Sequence, residues 1–339
     1  MMPTVDVHAH FIPVDFIAAA RRGRALDGVE IRRVNGEEYV CHPQGYAYPL
    51  APEFWDLEAK LRQMDRLGID ITVLSIAPPL FFYWVDPKAA VEFCRAANEA
   101  MARLVAGSGG RLYGLATVPM QDPESAATEL RHAITELGLK GVILGTSVEG
   151  VPLEDARFEP FWAAAETLET PVLLHPYYVG PRPGLSDFYL INLIGNPFDT
   201  SVAAARLILS GFLDRHPRLR FLLVHGGGFL PYQIGRLDHG FHVRAEAQRY
   251  IERPPSAYLD QFYFDTVVHA DLPLRFLVDL VGCSRVMVGT DLPFDMADVK
   301  FSEHLNALSG DRDQEEAIRG GNACRLFRIP SGDPAPVTL

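Results

Sequence analysis

Short runs of apolar and β-branched residues recur along the chain at Thr4–Phe11, Ile71–Ala77, Leu112–Pro119, Gly141–Gly145, Pro171–His175, Leu219–His225, Phe262–Val268 and Val286–Asp291. Each has the length and composition of a buried strand. Most stretches between them carry apolar residues at helical spacing instead. Eight strands alternating with helices predict βαβ units, a parallel sheet and an α/β fold of the (β/α)8 TIM-barrel type. An open doubly wound sheet is the competing arrangement, but no Gly-x-Gly-x-x-Gly run follows any strand. The joints repeat one chemistry. Asp86-Pro87, Asp122-Pro123 and Asn196-Pro197 read as an N-cap followed by proline at the first helical position. Gly68 and Gly138 read as glycines that close helices.

One segment breaks this rhythm, between strand 1 and the helix expected near Asp56–Leu67. Within it Val29–Arg33 and Glu38–Cys41 flank Asn35-Gly36, the dipeptide favoured at a type I′ hairpin turn. Residues 24–54 are therefore expected as a hairpin-containing insertion at the catalytic face, and residues 1–339 as one barrel domain.

Composition narrows the function classes. With 48 % hydrophobic residues over 339 positions the chain falls among globular proteins large enough for one α/β barrel, which excludes disorder and coiled coil. Its net charge of −12, from 31 basic and 43 acidic residues, argues against nucleic acid or an anionic membrane as a partner. An anionic small molecule would need local arginines. Cys41, Cys94, Cys283 and Cys324 are scattered, with no Cys-x-x-Cys spacing, so no thiolate metal site or disulfide framework is expected. That suits the cytoplasm. No apolar run approaches a membrane span.

The chemistry gathers at strand ends. In strand 1, alternation puts Asp6, His8 and His10 on one face. His175 ends strand 5, His225 ends strand 6 and Asp291 ends strand 8. In a (β/α)8 barrel these C-terminal ends converge on one mouth. A polar group on an otherwise apolar strand is costly to bury unless it is paired or bound to metal. Imidazole nitrogen and carboxylate oxygen suit zinc or another borderline divalent ion. Five candidates exceed what a four-coordinate site with an open position needs, so one is expected to act as acid/base instead.

His8-Ala-His10, the late His175, His225-Gly-Gly-Gly, Gly235-Arg236-Leu-Asp238 and Gly289-Thr-Asp291-Leu-Pro-Phe294 together resemble the amidohydrolase superfamily. The resemblance runs over nearly the whole chain. It is nearest to the decarboxylase branch typified by aminocarboxymuconate semialdehyde decarboxylase. It implies one divalent ion, Zn2+ with Mn2+ as the alternative, held by His8, His10, His175 and Asp291. It makes His225 the unligated acid/base that activates the water on the metal, with Asp291 beside it as the catalytic carboxylate. Arg236 matches an arginine that binds substrate carboxylate in the neighbouring subunit's site, which implies a homodimer.

The implied reaction is non-oxidative decarboxylation of a small conjugated or aromatic-derived acid. Hydrolysis or hydration of a ring-cleavage product, lactone or amide is the alternative on the same ligands. A barrel that binds without catalysis is the remote third. One position departs from the pattern: where the branch carries a second carboxylate-binding arginine, shortly before Trp55-Asp56, this chain has Tyr48. Arg182, after strand 5, is another source of that charge, although its loop position favours plain solvent exposure. Phe81 and Trp84, after strand 2, are expected to offer a flat substrate an aromatic wall. Lys140 stands at the start of strand 4, so no lysine is expected at that strand's far end to carry a second metal.

Overall fold

The computed structural model describes residues 2–177, 182–308 and 312–330. Eight strands form one sheet whose spatial order follows the chain: β1 Val5–Phe11, β2 Ile71–Ile76, β3 Leu112–Ala116, β4 Gly141–Gly145, β5 Val172–His175, β6 Phe221–Leu223, β7 Phe262–Asp265 and β8 Val286–Met287. Every neighbouring pair is parallel. The seam closes just past β8. The amide of Val7 donates to the carbonyl of Val288 at 2.9 Å, and that of His10 to Leu292 at 2.7 Å. The result is the expected TIM-type barrel. Its strands are buried on both faces, as parallel strands under helices must be.

Four of the expected strands end two or more residues before their apolar runs. β3, β6, β7 and β8 stop at Ala116, Leu223, Asp265 and Met287. His225 and Asp291 have φ of 55° and 63°, in the left-handed region that no strand can include. Both therefore sit in loops just beyond the strand ends. β1 also departs from strict alternation, because its register against β2 shifts between Asp6 and Ala9. Such a bulge re-aims side chains. Asp6, His8 and His10 all remain completely buried.

The helix joints follow local chemistry with one exception. The Asp86 carboxylate accepts from the amides of Lys88 and Ala89, Asp122 from Ser125, and Asp56 from Ala59. Gly68 closes the Leu57–Leu67 helix at φ 68°. Asn196 does not cap its helix. A π-helical turn, Ile191–Gly195, runs straight into Asn196–Leu209, with Asn196 itself at helical φ and ψ. Pro197 has no amide hydrogen to give to the preceding turn, and a widened turn ahead of it accommodates that loss.

In the insertion, Glu30–Val34 and Glu37–Cys41 form the expected antiparallel hairpin, with φ of 53° at Asn35 and 91° at Gly36. A third strand, Ala47–Pro49, pairs with it. Among the described residues no helix is long and apolar enough to cross a membrane.

Candidate metal centre

Strand geometry delivers His8 and His10 from β1, His175 from the end of β5, and Asp291 from the loop after β8. One donor atom from each lies within 4.8 Å of all the others. That is close to the span one ion can bridge, about twice a 2.0–2.2 Å bond. All four residues are buried.

The imidazoles are oriented for this. His8 Nδ1 donates to Asp265 Oδ2 at 2.7 Å. His175 Nδ1 donates to the carbonyl of Pro176 at 2.6 Å. His10 Nδ1 lies 3.1 Å from the hydroxyl of Ser75, which itself donates to the carbonyl of Ala9. Carboxylate and carbonyl oxygens only accept, and the Ser75 hydrogen is already committed, so each Nδ1 carries the proton. Each Nε2 is then a lone pair facing the centre. The Nε2 atoms of His8 and His175 are buried with no hydrogen-bond partner. Leaving such an atom unsatisfied costs about 1–3 kcal/mol, and a cation between them removes that cost. The donor set fits a borderline divalent ion.

Asp291 divides its oxygens. Oδ1 lies 3.0 Å from His10 Nε2 and 3.4 Å from His8 Nε2, while Oδ2 lies 3.6 Å from His225 Nε2. Burial would raise its pKa, but the charge of His8 and the hydrogen bonds from His10 and His225 prevail and hold it well below the usual carboxylate range. Burial lowers His10 to about 4 and takes His175 well below the ordinary histidine value. Both are neutral donors at pH 7. His8 is also pushed down by burial, but Asp291 and Asp265 outweigh this and raise it.

His225 stands beside this cluster. Its ring centroid is 5.3 Å from that of His8 and 5.2 Å from that of His175. The three glycines after it explain its loop. Gly226, Gly227 and Gly228 all have positive φ, and a Cβ on Gly226 would come within 2.4 Å of Val268. A Cβ on Gly289 would meet Asp265 at 2.7 Å and His8 at 3.0 Å, so that glycine lets the metal-side residues close together.

A cavity of about 560 Å3 opens over the centre. His175, His225 and Asp291 form part of its wall. The insertion contributes Gln44, Gly45 and Tyr46, and the segment after β5 contributes Tyr177, Arg182, Tyr189, Asn192 and Asn196. The phenols of Tyr46 and Tyr189 are hydrogen-bonded to each other across this wall.

Several expected substrate contacts lie elsewhere. Phe81 and Trp84 do not line the cavity. They pack behind it, against Tyr177, with ring centroids 5.6 and 6.4 Å away. Trp84 also donates its indole hydrogen to Asp27. The aromatic wall is instead Tyr46, Tyr177, Tyr189 and Phe294. Tyr48 is buried behind Phe294 and Tyr46, at centroid distances of 5.3 and 5.5 Å. Arg236 is exposed on the helix Leu230–Val243 and does not reach this cavity within one protomer. Arg182 is not merely solvent-exposed, because it forms part of the wall. Lys140 lies near Tyr113 at the opposite end of β4, which finishes in Gly145.

Sequence reading missed Asp265 and Ser75. Both sit where β7 and β2 approach the mouth. The terminal-residue rule that found Asp291 would have found Asp265, had the apolar run not continued to Val268 and hidden the strand's true end.

The model of the amidohydrolase family matches residues 5–329. The chain belongs to that family. It lies on the decarboxylase branch, as the motifs implied. It is 34 % identical over 277 residues to the 2-amino-3-carboxymuconate-6-semialdehyde decarboxylase of Dictyostelium discoideum, covering 81 % of this chain and 77 % of the relative. It is 31 % identical over 314 residues to the gamma-resorcylate decarboxylase of Rhizobium sp. MTP-10005, covering 85 % and 92 %. Among solved structures, the dihydroxybenzoic acid decarboxylase of Polaromonas sp. JS666, with bound manganese and the inhibitor 2-nitroresorcinol, superposes with a TM-score of 0.79. That pair is 26 % identical, over 97 % of this chain and 98 % of the other. The relatives of this amidohydrolase are thus carboxy-lyases.

Proposed function

We propose that this amidohydrolase is a metal-dependent, non-oxidative decarboxylase of a small conjugated or aromatic carboxylic acid. The observation that carries the reading is three Nε2 lone pairs and one carboxylate converging under a cavity, with a fourth imidazole alongside. His8, His10, His175 and Asp291 would hold one divalent ion, Zn2+ or, as in the Polaromonas relative, Mn2+. Such an ion supplies positive charge and Lewis acidity at the floor of the cavity.

The rest falls to the chain. The difficulty in decarboxylation is the electron pair left on carbon when carbon dioxide departs. His225 lines the cavity beside the proposed ligands, where it can deliver a proton to that carbon. The carbon–carbon bond breaks, its electrons form the new carbon–hydrogen bond, and the imidazole recovers its proton from water. Asp291 Oδ2 lies 3.6 Å from His225 Nε2, where the carboxylate's charge favours the protonated form of the ring. Tyr46, Tyr177 and Phe294 give a planar substrate a flat surround and keep water away from the reacting carbon.

Two further assignments belong to this reading. The chain works as a homodimer, with Arg236 reaching the neighbouring subunit's cavity. Arg236 projects from an exposed helix that also displays Tyr232 (77 % exposed) and Val243 (59 %), as an interface helix would. The setting is the cytoplasm, whose reducing conditions suit four free thiols. The test is release of labelled carbon dioxide from carboxylated muconate semialdehydes and hydroxybenzoates by Zn2+- or Mn2+-loaded protein. Carbon dioxide release supports the reading. Turnover of lactones or amides without carbon dioxide would replace it by the hydrolytic one.

A further inference from the structure

Of the four proposed metal ligands, Asp291 alone lies outside a strand. Its φ of 63° is a conformation that a residue with a side chain holds only when its surroundings impose it. The bonds that impose it come from both sides. Its own amide donates to the carbonyl of His8 at 2.7 Å. The hydroxyl of Thr290, one residue before, accepts from the amide of Leu292, one residue after, at 3.3 Å. The carbonyl of Thr290 accepts from the amide of Asp298 at 2.8 Å.

The hydrogen of the Thr290 hydroxyl goes to Asp6. Oγ1 lies 2.7 Å from Asp6 Oδ2, closer than the His8 carbonyl at 3.4 Å. The other oxygen, Asp6 Oδ1, accepts from the amide of His8 at 3.0 Å. This bond falls where the register of β1 shifts between Asp6 and Ala9, and such a bulge sets the aim of the side chains on it. Asp6 therefore holds the strand that carries His8 with one oxygen and the loop that carries Asp291 with the other. Asp6 and Thr290 are fully buried and form no part of the cavity wall, so neither touches a substrate there. A carboxylate at this depth is costly. Lys60, buried on the helix Leu57–Leu67, supplies opposite charge within electrostatic reach of it, although its Nζ makes no hydrogen bond.

We propose that Asp6 and Thr290 are positioning residues for the metal centre, one carboxylate and one hydroxyl that together fix His8 against Asp291. The proposal rests on the metal-dependent reading of the site.

The test is Zn2+ affinity, by competition with a calibrated chelator, of wild type, Thr290→Val, Thr290→Ser, Asp6→Asn and the double variant Asp6→Asn/Thr290→Val. Valine keeps the branched shape and removes the hydroxyl, and asparagine keeps one acceptor oxygen of two. Each of these single changes is expected to weaken Zn2+ binding about 10–100-fold, the usual cost of a lost outer partner, with Thr290→Ser staying within about threefold of wild type. The double variant should bind no more weakly than the weaker single one, because both changes break the same bond. Asn98→Ala is the control for lost stability. Asn98 is buried away from the centre, where its amide donates to the Thr117 carbonyl and to Glu129, so its loss should lower the unfolding temperature and leave Zn2+ affinity unchanged.

A Thr290→Val protein that loses no more affinity than Asn98→Ala overturns the proposal. So does a Thr290→Ser protein as weak as Thr290→Val, or a double variant whose loss is the product of the two single losses. Those outcomes leave the metal reading standing, because wild type still binds Zn2+. A wild type that takes up neither Zn2+ nor Mn2+ overturns the metal reading and this proposal with it.

Discussion

Asp265 joins His8 to the loop that carries His225 through its two oxygens. Oδ2 accepts from His8 Nδ1 at 2.7 Å, and Oδ1 accepts from the amide of Gly226, immediately after His225, at 2.7 Å. One fully buried carboxylate thus sets the tautomer of His8, a proposed ligand, and the position of the loop that carries His225, the proposed acid/base. A second bond to Oδ1, from the amide of Val267 at 3.1 Å, fixes the carboxylate itself.

This relationship makes Asp265→Asn informative. The amide nitrogen of asparagine cannot accept from His8 or from Gly226. The variant is expected to bind metal about 10–100-fold more weakly, the usual cost of losing such an outer partner. Competition with a calibrated chelator measures it. Unchanged affinity would show that His8 holds its tautomer without Asp265.

His225 is expected to separate metal binding from turnover. His225→Asn should keep one metal per chain by elemental analysis, while kcat falls by about 10^2–10^4-fold, the scale of a general acid/base. Loss of the metal along with activity would move His225 into the ligand set.

The hairpin insertion predicts a pH dependence that is independent of the metal ligands. Burial lowers His42 to about 4, whereas an unfolded histidine titrates near 6.5. Between these values the unfolded chain binds a proton that the native chain does not. His42 therefore favours the native state fully above pH 6.5, and that contribution is lost as pH falls towards 4. Its share of the slope approaches about 1.4 kcal/mol per pH unit. Asp6, raised to about 6 by burial, works in the opposite direction. A His42→Phe variant compared with wild type at each pH isolates the histidine. The stability of wild type relative to the variant should fall as pH drops from 6.5 towards 4, and parallel curves would refute the assignment.

Arg236 is testable by mixing subunits. His225→Asn and Arg236→Gln proteins should each be impaired alone. If Arg236 serves the neighbouring site, a mixed dimer has one site with both lesions and one with neither, so co-refolding restores activity. If it serves its own protomer, mixing restores nothing.

The apolar runs, the Asp-Pro caps and the closing glycines made the barrel legible, because strand and helix periods and capping chemistry act over a few residues. His8 and His10 were legible for the same reason, since two donors on one strand are neighbours in the sequence. The Asn35-Gly36 hairpin was legible because φ above zero at both turn positions favours that dipeptide. Asn196 misled, because Asn-Pro reads locally as a cap while the turn ahead of it widened to pass the proline.

What tertiary structure decided was convergence and orientation. His8, Asp265 and Gly226 lie far apart in the chain, and only barrel closure places them within hydrogen-bond reach. The aromatic wall passed from Phe81 and Trp84 to Tyr46, Tyr177 and Tyr189, because the loop after β2 packs behind Tyr177. Arg182 became a cavity residue through Asp199 and Phe198 on a later helix. Sequence determines which donors and charges are available, because side-chain chemistry is local. Which of them meet, and which nitrogen each presents, depends on long-range packing that no short stretch of sequence encodes.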